Sequence, residues 1–170
     1  IPLETELAEL DQRYNQIAGR MSVDFDGQVR TMPQMGRFLE ENDRALRERA
    51  WRAINDRRLQ DRDEIDAIFD RMVELRHRIA LNAGFPNFRD FQHRRFKRFD
   101  YAPQDCIAMH AAIERHLVPM QRRLDEQRAA QLGVSPLRPW DLGVDARGRG
   151  PLRPFETAQQ LVDGCSRMFH

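Results

Sequence analysis

Apolar residues recur at helical spacing through most of the chain. In the first segment they fall at alternating steps of four and three, which places them on one side of an amphipathic helix. This helix begins at Pro2, and Gly19 marks its end. The apolar stripe consists of Leu3, Leu7, Leu10, Tyr14 and Ile17.

A different period follows this helix. Met21, Val23 and Phe25 alternate with polar residues up to the pair Asp26-Gly27. Alternation with a period of two is typical of a strand, and Asp-Gly is a common pair in tight turns. The sequence therefore predicts a short hairpin, although its second arm shows little alternation.

Capping residues mark the starts of the next helices. Thr31, with Gln34 three residues later, has the pattern of a capping box for a short helix, and Asn42 predicts the cap of the helix after it. From Asp43 to about Asn82 apolar residues again recur at helical steps, across a charged stretch from Asp56 to Glu64. This part is either one long helix or two nearly continuous ones.

Two more helices are predicted after this stretch. Asn87 caps a short one. A long one begins at Pro103, reaches about Leu132 and stops at Gly133. Pro119 lies inside it and is expected to kink it.

The C-terminal part has a different composition. Residues 134–154 are rich in Pro, Gly and Arg and predict an extended segment and a loop, and a final helix begins near Phe155. That helix reaches the end of the chain without a capping residue, and Ile1 leads directly into the first helix. We expect one all-α unit over residues 1–170, with one short extended segment or hairpin, whose two ends were cut from a longer chain.

Composition narrows the function classes. Charged residues make up 32% of the chain, yet the net charge is only +1, so no field of one sign favours nucleic acid or a membrane. No run approaches about 18 consecutive apolar residues. Cys106 and Cys165 belong to no metal-binding pattern, so two buried free thiols are expected, with a disulfide as the alternative. A soluble, cytoplasmic protein is the default expectation.

Six short motifs, taken in order, resemble a known family. They are RERAW at 47–51, LRHRIALNAG at 75–84, NFRD at 87–90, RFDYAPQDC at 98–106, HLVP at 116–119 and RPWDLGV at 138–144. Their order and separation resemble the oligoendopeptidase F branch of the thimet-type (M3) zinc metallopeptidases. The resemblance covers essentially the whole chain.

The resemblance implies a mostly helical, zincin-like catalytic domain with a deep channel that admits short peptides. It also implies a zinc ion held by an H-E-x-x-H motif and a downstream Glu, with the Glu of the motif as general base. No His in this chain is followed by Glu, so the motif is missing here. The chain would then be the N-terminal part of the catalytic domain, forming scaffold and channel wall. It would contain no catalytic residue, bind no zinc and be inactive alone.

Trp140 and Asp141, in the RPWD motif, are the candidate substrate-binding residues. A buried Trp that anchors the extended segment is one interpretation. The other is that this segment approaches the peptide channel and contacts the substrate. Neither residue is assigned a catalytic role.

Other polar clusters have ordinary explanations. His110 and Glu114 share a helix face, but His116 points elsewhere, so zinc binding is not expected there. Asp24 and Asp26 resemble the start of a calcium loop, but Met35 stands where a Glu is required, so an ordinary turn is expected. The acidic run from residue 61 to 70 is interleaved with arginines and predicts a solvated helix face.

The stretch from His93 to Phe99 is the one basic patch with interleaved aromatic residues. Such a composition could bind RNA or single-stranded DNA. Nearby acids dilute the charge, and the spacing of the phenylalanines suits a short helix docked into a core, so core aromatics with a basic rim are favoured. These residues are Phe88, Phe91, Phe96 and Phe99.

A second function class is a non-catalytic helical interaction module. Its exposed apolar stripes would bind a partner protein or another copy of the chain. For the peptidase, the expected partners are oligopeptide substrates and the remainder of its own catalytic domain, and neither nucleic acid nor membrane.

Overall fold

A computed structural model describes residues 2–150, 152 and 154–169. Helices dominate these residues, as the apolar spacing predicts. They are α1 (Pro2–Arg20), α2 (Met32–Gly36), α3 (Arg44–Gln60), α4 (Arg62–Asn82), α5 (Phe88–Arg95), α6 (Pro103–Leu132) and α7 (Ala158–Phe169). Short 3-10 turns lie at Arg37–Glu40 and Pro139–Asp141. No helix among the described residues is long and apolar enough to cross a membrane.

The predicted hairpin is present between α1 and α2. Strands β1 (Ser22–Phe25) and β2 (Gln28–Thr31) pair antiparallel, with Ser22 opposite Thr31 and Phe25 opposite Gln28. Asp26 and Gly27 both have positive φ, 53° and 74°, which is the backbone of a two-residue hairpin turn. The Asp24 and Asp26 stretch is therefore an ordinary turn, as expected.

Most helix starts were predicted correctly from their capping residues. The side chain of Thr31 accepts from the N–H of Gln34, and the side chain of Gln34 accepts from the N–H of Thr31, so the predicted capping box is confirmed. Asn87 caps α5 as predicted. The cap of α3 is Asp43, whose carboxylate accepts from two backbone N–H groups. The prediction that Asn42 caps this helix was wrong by one residue.

Three other boundaries refine the sequence prediction. The stretch from 43 to 82 forms two helices that meet at Asp61. The long helix runs from Pro103 to Leu132 and ends at Gly133, whose φ is 66°, as predicted. The last helix begins at Ala158 rather than near Phe155, because Thr157 and Gln160 form a capping box that the sequence analysis missed.

Two small apolar clusters hold the N-terminal part together. One joins the hairpin to α2 and α3 and contains Val23, Phe25, Met35, Ala50 and Ile54. The other joins α1 to α4 and contains Ile17, Met21, Ile68 and Met72. α5 packs against α4, and α6 begins beside α5.

The apolar residues of α6 and α7 are not part of either cluster. Their exposed fractions are 53% at Leu117, 50% at Met120 and 84% at Met168. The same holds along both helices for Ile107, Met109, Ile113, Val118, Leu124, Leu161, Val162 and Phe169. α6 and α7 therefore present apolar surface to solvent over most of their length.

The prediction that both cysteines are free thiols is confirmed, whereas the prediction that both are buried was wrong. Both cysteines are free thiols. Cys165 is exposed on α7, and Cys106 is only half-buried at the start of α6.

Candidate functional site

The sequence-predicted pair Trp140 and Asp141 lies in a 3-10 turn that packs against α3. Pro139 fits the first position of the turn because it has no N–H to satisfy. The N–H of Arg138 donates to Oδ2 of Asp141 at 3.0 Å, which closes the turn. Both side chains are buried, and Asp141 is 0% exposed.

Two arginines of α3 bind the buried carboxylate. Nε and Nη2 of Arg44 donate to Oδ1 and Oδ2 of Asp141 at 3.0 and 2.9 Å, and Nη2 of Arg47 donates to Oδ1 at 3.0 Å. Arg47 is only 2% exposed. Paired, fully hydrogen-bonded charges are the form in which ionic groups are tolerated inside a protein.

Arg47 also ties two other segments of the chain to α3. Its Nε donates to the carbonyl oxygen of Trp140 at 2.8 Å, and its Nη1 donates to the carbonyl oxygens of Glu41 and Asn42 at 2.9 Å each. All of its donating nitrogens are therefore used. We call Asp141, Arg44 and Arg47 the arginine clamp.

The clamp keeps its carboxylate ionised. Burial disfavours the charge and would raise the pKa of Asp141, but the hydrogen bonds from Arg44, the N–H of Arg138 and Arg47 together outweigh it. The pKa of Asp141 consequently lies below its usual range. The same hydrogen bond raises the pKa of Arg44.

Helix α6 is also joined to the segment that contains Asp141. Nη1 of Arg128 donates to the carbonyl oxygens of Asp141 and Val144, at 3.2 and 2.7 Å. The side chain of Asn42, which does not cap α3, donates to the carbonyl oxygen of Gly148 at 2.9 Å. The segment after α6 is thus fixed by side chains far from it in sequence.

The indole of Trp140 packs against two residues of α3. Its ring centroid lies 5.4 Å from that of Trp51, and the guanidinium of Arg52 lies 5.4 Å from the Trp140 ring. Its Nε1 is shielded from solvent and has no hydrogen-bond partner in the described part of the chain. The anchoring role of Trp140 is therefore visible in the fold, whereas substrate binding by Trp140 or Asp141 stays a prediction.

The arginines of the clamp were missed by the sequence analysis, although a signal was present. Arg47, Ala50 and Ile54 fall at steps of three and four, so Arg47 shares the buried stripe of α3. An arginine on the apolar stripe of a helix needs a buried acceptor. The sequence could have pointed to a pair, but not to Asp141 as the partner.

The histidines of α6 are not brought together with other metal ligands. His110, Glu114 and His116 are all exposed. Over the described ranges, no three His, Cys, Asp or Glu side chains are grouped so that they could hold a metal ion. The described residues therefore do not form a zinc site.

The acidic run is solvated at Asp63, Asp66 and Asp70, as predicted, but Asp61 and Glu64 are half-buried. Arg57 pairs with Asp61, and Arg62 pairs with Asp66, each four residues apart on α3 or α4. Arg20 of α1 also reaches Asp61 and Glu64, which ties α1 to the start of α4. The Arg62–Asp66 pair is exposed on both sides, and pairs of that kind add little stability individually.

The interpretation of the basic patch as core aromatics was only half right. Phe88 and Phe91 are half-buried and in ring contact, with centroids 5.9 Å apart. Phe96 and Phe99 are 57% and 65% exposed. The helix α5 ends before these two residues, so its apolar face cannot carry them into the core.

Comparison with known proteins places this fold in one family. Peptidase family M3 matches residues 37–170. An oligoendopeptidase F from Bacillus anthracis str. Ames is 26% identical, with a TM-score of 0.86, over 96% of this chain and 30% of that one. PZ peptidase A with an inhibitor is 27% identical, with a TM-score of 0.88, over 96% and 29%.

A further oligoendopeptidase F structure, at 3.1 Å, is 26% identical, with a TM-score of 0.92, over 99% of this chain and 30% of that one. No curated protein matches the chain. The chain spans about 30% of the length of these solved peptidases. The family match covers most of its 170 residues, so this chain belongs to peptidase family M3.

Proposed function

We propose that the chain is the N-terminal part of the catalytic domain of a cytoplasmic, zinc-dependent endopeptidase that hydrolyses short oligopeptides. The observation that carries the proposal is the family match over residues 37–170. It is supported by the likeness to oligoendopeptidase F and PZ peptidase A structures. The zinc is assigned to residues outside this chain, because the described residues do not form a site for it.

Within such an enzyme the chain would act as scaffold and channel wall. The arginine clamp holds the RPWD segment rigidly against α3, and Arg128 fixes the end of α6 to the same segment. Rigid elements of this kind are suited to position a channel. A narrow channel would select short, flexible peptides and exclude folded proteins.

The apolar surface of α6 is the proposed contact with the remainder of the enzyme. Leu117 and Met120 are about half exposed in the middle of α6. Apolar surface on this scale is typical of an interface rather than of a free surface. The relatives are more than three times as long as the matched region, which leaves ample chain to cover it.

A hydrolysis assay tests the proposal. A quenched fluorescent oligopeptide and zinc are added to the 170-residue chain and, separately, to the full-length protein. We expect turnover by the full-length protein, abolished by a chelator and restored by zinc, and none by the chain alone. Chelator-sensitive turnover by the purified chain would contradict the predicted inactivity, and a full-length protein without peptidase activity would overturn the function.

The same assay tests the preference for short substrates. The cleavable sequence is presented once as a free oligopeptide and once within a loop of a stably folded protein. We expect cleavage of the free peptide only, because a narrow channel admits no folded domain. Equal rates on the two substrates would contradict the channel.

Trp140 and Asp141 are retained as proposed substrate-binding residues. Nε1 of Trp140 is a shielded donor that has no hydrogen-bond partner among the described residues, and a carbonyl of a substrate that reaches this site would satisfy it. The Trp140→Phe variant of the full-length enzyme keeps an aromatic ring and removes this N–H. We expect KM to rise by about threefold to tenfold with little change in kcat. An unchanged KM would leave Trp140 with its anchoring role alone.

A second candidate function is a non-catalytic module that self-associates. The exposed apolar stripes of α6 and α7 favour it. Sedimentation of the chain over a range of concentrations separates the two proposals. Reversible dimers that disappear when Met120 is changed to Glu would support the module, whereas a monomer at the highest concentration would reject it.

A further inference from the structure

The turn after α5 sets the direction of the residues that follow it. Lys97 adopts a left-handed conformation with φ of 55°. Its N–H donates to the carbonyl of Arg94 at 2.9 Å, and the N–H of Arg98 donates to the carbonyl of His93 at 3.3 Å. These two bonds form a Schellman motif, which ends the helix and reverses the chain. Arg98 is thereby placed over the ring of Phe96.

Two arginines beside this turn lie over aromatic rings. The guanidinium of Arg98 lies 4.9 Å from the centroid of Phe96 and 6.0 Å from that of Tyr101, and the guanidinium of Arg94 lies 5.4 Å from Phe99. In the described part of the chain neither forms an ion pair. Stacking leaves the planar N–H donors available for a carboxylate.

The two arginines line a cavity of about 450 Å³ between α5 and α6. His93 forms part of its wall, with its ring 5.2 Å from Tyr101. Nε2 of His93 is shielded from solvent and has no hydrogen-bond partner among residues 2–150, 152 and 154–169. A shielded polar atom without a partner calls for a ligand atom or a water.

The acidic residues of the cavity limit the charge of a ligand. Asp100 and Asp105 both line it, and Oδ2 of Asp105 accepts the N–H of Ala102 at 2.8 Å. Two carboxylates beside two guanidinium groups leave no strong positive field. A ligand with one negative charge can be bound by the two guanidinium groups, whereas the weak field does not favour a chain of phosphates.

We propose that this cavity binds the carboxylate of a peptide. Arg94 and Arg98 bind the carboxylate oxygens, and the exposed rings of Phe99 and Tyr101 contact an adjacent apolar or aromatic side chain of the same peptide. The choice of a peptide rests on the proposed function, whereas the carboxylate follows from the cavity itself. The carboxylate belongs either to the C-terminus or to a Glu or Asp side chain.

Calorimetric titration of the 170-residue chain with three matched peptides tests the site. They are N-acetyl-Ala-Phe-Ala with a free C-terminus, the same peptide as an amide, and N-acetyl-Ala-Glu-Phe-Ala amide. We expect the neutral amide to bind at least about tenfold more weakly than one of the two carboxylates, since a bidentate charged pair is lost. The tighter of the two carboxylates identifies the source.

Variants then locate the binding. Arg98→Gln should weaken the carboxylate peptide by about tenfold, and Arg98→Lys should be intermediate because the charge remains while the planar fork is lost. Arg122→Gln is the matched control, since Arg122 is exposed on α6, outside the cavity, and has the same charge. Its affinity should equal that of the unchanged chain. Circular dichroism establishes that each variant keeps its helical content.

Three results would overturn the proposal. They are equal binding of acid and amide peptides, equal loss in Arg98→Gln and Arg122→Gln, and tighter binding of a deoxythymidine oligonucleotide with steep salt dependence. The last result would assign the patch to single-stranded nucleic acid. If the 170-residue chain binds the peptide here but the full-length protein has no peptidase activity, the binding site is supported and the proposed function is rejected. If the full-length protein is a peptidase but the chain does not bind the peptide here, only the proposed binding site is rejected.

Discussion

At the scale of single residues, the buried carboxylate of Asp141 is the most consequential side chain. It is 0% exposed and remains charged because Arg44, Arg47 and the N–H of Arg138 all donate to it. A buried charge is costly by itself, and a complete set of donors offsets that cost. Loss of one partner leaves the other charge buried without compensation.

The first prediction concerns this pair. Asp141→Asn leaves the buried guanidinium of Arg47 without its counter-charge, so we expect the free energy of unfolding to fall by about 3 kcal/mol. Asp66→Asn is the control, because its pair with Arg62 is exposed on both sides. It should cost less than about 0.5 kcal/mol. Urea unfolding followed by circular dichroism measures both, and equal losses would contradict a special role for the clamp.

The second prediction concerns pH. The pKa of Asp141 is lower in the folded chain than its ordinary value, so its stabilisation is present above about pH 4 and is lost as pH falls through the folded pKa. The free energy of unfolding should therefore fall on acidification below about pH 4. The acid dependence should be shallower in Asp141→Asn than in the unchanged chain. Identical pH profiles of the two chains would show that Asp141 does not contribute to the acid dependence of the free energy of unfolding.

At the scale of elements, the hairpin turn and α1 each contain a glycine, and the backbone conformation favours glycine only in the turn. Gly27 has φ of 74°, whereas Gly19 lies within a helix, and a Cβ at either position meets no atom within 4 Å. Only backbone conformation therefore distinguishes the two sites. Left-handed φ disfavours alanine, and helical φ favours it.

The third prediction uses this contrast. Gly27→Ala should lower the free energy of unfolding by about 1 kcal/mol, and Gly19→Ala should raise it by about 0.5 kcal/mol. Thermal unfolding under identical conditions measures both changes. Effects of the same sign would mean that packing, and not backbone conformation, determines the change in the free energy of unfolding at one of these positions.

Element boundaries were predictable where the signal was local. Thr31 with Gln34, Asn87 and Gly133 act on backbone groups within a few residues, and all were read correctly from the sequence. Asn42 was misassigned because two adjacent residues can both cap, and the fold uses Asn42 for a distant carbonyl at Gly148. A choice between neighbouring caps depends on contacts that the local sequence does not specify.

At the scale of the whole molecule, the stability contributed by the apolar face of α6 should depend on how much of the proposed enzyme is present. Leu117 is 53% exposed here. In the proposed full-length enzyme the same side chain is covered by the remainder of the domain. Its contribution to stability should therefore depend on which chain carries it.

The fourth prediction is that Leu117→Ala has little effect in the 170-residue chain and a large one in the full-length protein. We expect less than about 0.5 kcal/mol in the first and about 2 kcal/mol or more in the second. Arg115→Ala, on the opposite face of α6, is the control and should be mild in both. A small effect of Leu117→Ala in the full-length protein would contradict a buried interface on this face.

The helical class, the hairpin, most caps and the resemblance to the M3 family could all be read from the sequence. These depend on residue spacing and on groups that act within one or two helical turns. The tertiary structure was needed to show that Asp141 meets Arg44 and Arg47, more than 90 residues earlier, and that Phe96 and Phe99 lie exposed beside Arg94 and Arg98. Partners so distant in sequence are chosen by packing, because spacing specifies which face a residue occupies and not what that face meets.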